Sequence, residues 1–142
     1  MKLSKKQQEL LATAKDLFCE RGYVQTSVRD LAQAQNVKAS SLYSHFASKE
    51  EILRFICQEN YEIMMEGKKR IMDFQGEQKE RFLFYIELHL SAILSNRQSF
   101  KIYLNYRHHL EGEHRSFYKE IDESYLELFC DIFYSAYPHY KD

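Results

Sequence analysis

The stretch Thr26–Glu51, TSVRDLAQAQNVKASSLYSHFASKEE, decides the fold. Val28, Leu31 and Ala32 recur at three- and four-residue spacing, which gathers them on one face of a short helix and leaves the other face polar. After a turn, Val37, Leu42 and Phe46 form a second apolar face, with Ser40, Ser41, Ser44 and His45 turned outward. Two short amphipathic helices around a tight turn are the pattern of a helix-turn-helix, whose second helix enters the DNA major groove.

The turn residue fits this reading. Such a turn needs a positive φ four residues after Ala32, and Asn36, which stands there, is the residue after Gly that tolerates it best. The flanking residues sharpen the pattern. With Phe18, Gly22, Tyr23, Thr26–Ala32, Val37, then Leu42-Tyr43-x-His45-Phe46 followed by Ser48-Lys49-Glu50 and Leu53, the first third of the chain resembles the TetR family of bacterial transcription regulators. Asn36 and Ser40 depart from it, since family members commonly carry Gly at both positions.

Composition agrees with an all-α protein. The 142 residues include only four Gly and one Pro, too few for many hairpin turns. A hydrophobic share of 44% with 29% charged residues is that of a soluble globular chain. The net charge of −1 conceals an asymmetry, because residues up to 55 carry nine Lys and Arg against six Asp and Glu. A basic head on an acidic body suits a protein that meets phosphates at one end. Cys19, Cys57 and Cys130 have neither disulfide-framework nor zinc spacing. With no apolar h-region behind the N-terminal lysines and no run of membrane-spanning length, a cytoplasmic protein without a membrane partner is expected.

Helical spacing continues on both sides of the motif. Leu10, Leu11, Ala14, Leu17 and Phe18 predict a first helix from about Ser4 to Arg21, closed by Gly22. Ser27 with Asp30, and Ser48 with Glu51, have capping-box spacing. A long helix is expected from Ser48 to about Phe74, with a bend or close packing at Gly67. Further helices are expected with buried faces at Phe82, Ile86, His89, Leu90, Ile93 and Leu94; at Phe100, Tyr103 and Leu104; and from Phe117 to Ala136, stopped by Pro138. RHHLEGEHR, around Gly112, reads as a connection or helix join. The expected division is a three-helix head at residues 1–47 and a helical body at 48–142.

Side-chain chemistry nominates the contacts. Ser40, Ser41 and Ser44 can exchange hydrogen bonds with bases or phosphates and Ala39 can touch a thymine methyl, but none offers a bidentate match to guanine. Arg29 does, and the resemblance implies a basic residue in that role; as a plain surface Arg it would be merely solvated. The resemblance also implies phosphate contacts at Tyr43, His45 and Lys49, with Lys38 adding another and Thr26 and Ser27 completing the DNA-facing set. The cluster His108, His109, Glu111, Glu113 and His114 lacks metal-site spacing, so no metal or other cofactor is expected.

Of 21 Phe and Tyr residues, seventeen follow residue 54. Most simply fill a core, yet the resemblance implies an effector pocket among the body helices. Tyr61, Phe82, Tyr85, His89, Tyr103, Tyr106, Phe117, Tyr125 and Phe129 are candidates to line it, with Arg107, His109 or Arg115 meeting an acidic group of a small lipophilic effector. The whole then reads as a ligand-responsive repressor of double-stranded DNA and not an enzyme. Its rivals are a DNA-binding module without effector and a metal hydrolase built on the histidines. The resemblance implies a homodimer on a palindromic operator, but family members continue past the seventh helix with two more that make most of the interface. The expectation is a body truncated at its C-terminus.

Overall fold

The computed structural model describes residues 3–141, and among them there are helices and no strands. Seven α-helices follow in order: α1 Lys5–Arg21, α2 Val28–Ala34, α3 Ala39–Tyr43, α4 Lys49–Met72, α5 Gln78–Ser95, α6 Arg97–Tyr106 and α7 Gly112–Ala136. Short 3-10 turns at Arg107–His109 and Pro138–Tyr140 follow α6 and α7.

Local signals explain most of the boundaries. Ser4 and Gln7 form a reciprocal capping box before α1, and Ser27 with Asp30 forms the expected one before α2. At the start of α4 Ser48 accepts from the Glu51 amide as expected, but the Glu51 carboxylate reaches the Ala47 amide. Gly22 ends α1 at φ 92, and a Cβ there would meet the Gln25 amide oxygen. Tyr23 packs back on Phe18 with ring centroids 5.2 Å apart. Gly67 has nothing within 4 Å of where a Cβ would stand, so it marks no close packing.

The chain forms two compact units, which cut across the expected division at residue 48. One comprises the chain up to Asn60 together with Arg97–Glu111; the other comprises Tyr61–Asn96 and the chain from Gly112 onward. In the first, Leu10, Ala14, Phe18, Leu31, Leu42, Phe46, Ile52, Leu53 and Ile56 are buried. The segment α6 lies against α1 in this unit, where it buries Phe100, Ile102 and Tyr103 and makes several polar ties. Glu59 accepts from Lys15 at 3.0 Å and from Ser99 at 2.8 Å. Gln98 donates to Asp16 at 2.7 Å, and Lys101 to the Cys19 carbonyl at 3.2 Å.

Three expectations for the later helices need correction. The buried face of α5 is centred on Tyr85, while Leu90 and Leu94 stand 53% and 67% exposed. That helix is apolar around most of its circumference, so periodicity alone placed the face too far round. On α6 Ile102 is buried and Leu104 exposed. Helix α7 begins at Gly112, a turn and a half before Phe117, and Tyr118 is buried in place of Phe117. Packed in the second unit are Ile71, Tyr85 and Ile132, with Phe82, Ile86, Leu88, Tyr125, Leu128 and Phe129 around them.

Asn36 has φ 55 and is the one non-glycine with positive φ among the described residues. Asn36→Gly should keep or slightly raise thermal stability, whereas Asn36→Val should cost about 1–2 kcal/mol, because a β-branched residue is strained there. Equal melting temperatures for the two variants would show that this backbone geometry does not constrain the turn.

Candidate nucleic-acid interface

The helix-turn-helix is built by burying one side of each short helix. Leu31 and Ala32 on α2, and Leu42 with the following Phe46, are at most 3% exposed. The Val37 amide donates back to the Ala32 carbonyl at 3.0 Å, which turns the chain between the two helices. That leaves Arg29 on α2, and Lys38, Ser40, Ser41, Tyr43 and Ser44 along α3, exposed on the opposite side; Ala39 and His45 are half-buried. Ser27 is exposed too, but its hydroxyl serves as the cap of α2. Ser44 donates to the Ser41 carbonyl at 2.6 Å, so in the free protein its hydroxyl is already used.

Two expected members of this set have other duties. Thr26 is fully buried and donates to the Gly22 carbonyl at 2.8 Å, so it cannot reach DNA. It closes the loop between α1 and α2. Lys49 turns its ammonium into the protein, donating to the carbonyls of Tyr23 at 2.7 Å, Thr26 at 2.9 Å and Val24 at 3.4 Å. It also lies 4.3 Å from the centre of the Tyr23 ring. Its ammonium has three hydrogens and three carbonyl partners. Burial pulls the Lys49 ammonium below its usual range and pushes the Tyr23 phenol up to about 12. Sequence reasoning took the residue's position for its role; the loop carbonyls that need a donor were not legible.

The candidate effector residues divide between the two units. Tyr103, Tyr106 and Arg107 belong to the first unit. There Tyr106 packs on Tyr23, and Arg107 lies 5.2 Å from the Tyr103 ring centre while donating to the Leu104 carbonyl. In the second unit Tyr61 meets Phe117 at 5.2 Å, and Phe117 lines an open depression with Glu113 and His114. Tyr85, His89, Tyr125 and Phe129 form one cluster, with centroids 5.7 to 5.9 Å apart, and Phe82 adjoins Phe129. Within it His89 Nδ1 lies 3.4 Å from the Tyr125 hydroxyl. Burial lowers the pKa of His89 and raises that of both tyrosines.

Among the described residues no group of three His, Cys, Asp or Glu side chains could hold a metal ion, and no helix is long and apolar enough to cross a membrane.

Comparison with known proteins agrees with this geometry. Residues 10–56 match the family model for bacterial regulatory proteins of the tetR family. This region belongs to the TetR family. It is 32% identical over 130 residues to the transcriptional repressor KstR2 of Rhodococcus jostii, covering 87% of this chain and 61% of that protein. The solved structure of the ketosteroid transcriptional regulator KstR2 of Mycobacterium tuberculosis superposes with a TM-score of 0.84 at 26% identity, covering 92% of this chain and 67% of that one. AibR in complex with isovaleryl coenzyme A and operator DNA gives a TM-score of 0.78 at 26% identity, over 95% of this chain and 74% of that one. The chain thus spans about three fifths of the length of the curated KstR2 relatives it matches over most of its own length. A family match over Leu10–Ile56 includes both α2 and α3, so the exposed face above is the family's helix-turn-helix.

Replacing Lys49 by Met should lower thermal stability by about 1–3 kcal/mol, the cost of stranding carbonyls that a charged donor satisfied. If the ammonium stays with those carbonyls in the DNA complex, the salt dependence of DNA binding keeps its slope. A slope reduced by about one unit would instead place Lys49 on a phosphate.

Proposed function

We propose that this chain acts in the cytoplasm as a sequence-specific transcriptional repressor that releases its operator on binding a small, mainly apolar effector. The observation that carries the DNA-binding half is the exposed polar face of α3, opposite the buried Leu42 and Phe46, beside the exposed Arg29. Arg29 supplies the one bidentate partner for guanine on this face. The serines of α3 contribute single hydrogen bonds to bases or phosphates, and Lys38, Tyr43 and His45 hold the phosphate backbone. Since one short helix reads only a few base pairs, the working form is a homodimer on a palindromic operator.

Support for the effector half comes from the second unit and from AibR, whose structure holds an acyl-coenzyme A together with operator DNA. The Tyr85–His89–Tyr125 group with Phe82 and Phe129 offers an apolar lining with a few hydrogen-bonding groups. Helix α4 contributes residues to both units, so an effector that prefers one setting of α4 changes DNA affinity by its differential binding to the two states. The close mutual packing of those rings favours a second reading, a DNA-binding module with no effector. No observation favours an enzyme.

Selection from a random duplex pool should enrich a palindrome, and Arg29→Ala should relax preference at one base pair per half-site at a cost of about 1–3 kcal/mol. Unchanged preference at every position would leave Arg29 a solvated surface residue.

For the effector, a panel of neutral aromatics, lipophilic acids and acyl-coenzyme A thioesters should contain a compound that raises the melting temperature and lowers operator affinity together. DNA affinity unmoved across the panel would leave the module without effector.

A further inference from the structure

The recognition helix is five residues long and has one buried side chain of its own, Leu42. Its first turn receives no side-chain cap, since Lys38 makes no such bond. A helix this short depends on its neighbours for its orientation: it packs against α2, Leu42 and the following Phe46 set its depth, and polar contacts hold its two ends.

Two polar ties from α1 supply those contacts, and neither belongs to the DNA-facing set. Gln7 Nε2 donates to the His45 carbonyl, just past the end of α3, at 3.1 Å. At the other end of the motif Gln35, the residue before the left-handed Asn36, is gripped from two sides. Its amide oxygen accepts from Lys6 Nζ at 2.9 Å and its amide nitrogen donates to Thr13 Oγ1 at 2.6 Å. Helix α1 therefore holds the motif at the turn that enters α3 and at the residue that leaves it. The serines on the exposed face of α3 must reach base edges through single hydrogen bonds, and such bonds weaken steeply once donor and acceptor are misaligned.

We propose that Gln7 and Gln35 are positioning residues for operator discrimination: they set the orientation of α3, and through it base preference, without touching DNA. This rests on the DNA-binding reading above. The two glutamines act on the specific part of the affinity, whereas the phosphate contacts that give non-specific binding tolerate a small rotation of the helix.

Gln7→Glu separates the tie from the capping box, because a carboxylate still accepts from the Ser4 amide, as Gln7 does at 3.0 Å, but has no N–H for the His45 carbonyl. Gln35→Leu removes the other grip. Binding of the protein and both variants is measured on the wild-type-selected duplex and on a scrambled one, over a range of salt. The expected result is a specific-to-scrambled ratio reduced about tenfold in each variant, with scrambled-duplex affinity and the Gln35→Leu salt slope unchanged. A ratio that does not move, or specific and scrambled affinities that fall together as a merely structural lesion would make them, overturns the proposal. A wild-type protein that enriches no sequence overturns the DNA-binding reading itself, and the proposal with it. Should one variant fail to give a helical circular dichroism spectrum, the other, at the opposite end of α3, decides alone.

Discussion

Between α1 and α2 the chain reverses within a few residues, and the carbonyls of Tyr23, Val24 and Thr26 are left without helical partners. One ammonium, from the first residue of α4, answers all three. Charge-assisted bonds of this kind are stronger than neutral ones, and here the Tyr23 ring lies under the same ammonium, excluding water from one side. The loop, the start of α4 and the end of α1 are thereby fixed together before any apolar packing is counted. Thr26 completes the closure through the Gly22 carbonyl. The angle at which α2 leaves this loop, and so the plane offered to DNA, depends on that knot.

How far the sequence foretold this depends on the kind of signal. Apolar periodicity placed the first helix, and Leu10, Leu11, Ala14, Leu17 and Phe18 are all buried as expected. Turn chemistry placed Asn36 in its left-handed conformation. Both are local properties, written in a few adjacent residues. Thr26 and Lys49 were misread because their roles are set by carbonyl groups, which every residue carries and no sequence distinguishes. On α5 an apolar surface wider than one face left the choice of buried side to its partners, and Tyr85, absent from the expected stripe, proved to be its centre.

Which helix joins which unit was also hidden. Phe100 and Tyr103 identify α6 as amphipathic but say nothing about its neighbour. Its buried face is matched by polar groups far apart in sequence, among them Glu59, which binds Lys15 from α1 and Ser99 from α6 at once. The Lys15 side chain is largely buried while that of Glu59 is 44% exposed, so the bond adds position more than stability. Of the aromatic residues counted as pocket candidates because they lie after the head in sequence, Tyr106 packs on Tyr23 and Tyr103 lies under the Arg107 guanidinium, both in the first unit.

The same bonds change the electrostatic account of DNA binding. Residues up to 55 carry an excess of three positive charges, but three of their lysines are engaged within the protein: Lys6 with Glu9 and Gln35, Lys15 with Glu59, and Lys49 with the loop carbonyls. The cations that remain on the helix-turn-helix itself are Arg29 and Lys38, both exposed. Each phosphate neutralised contributes about one unit to the salt slope, so one copy of this face should show a slope of only a few units and correspondingly weak non-specific binding. A weakly charged reader with serines in place of bidentate side chains has little affinity to spare. Precise placement of the short helix then matters more, since single hydrogen bonds weaken steeply once donor and acceptor are misaligned.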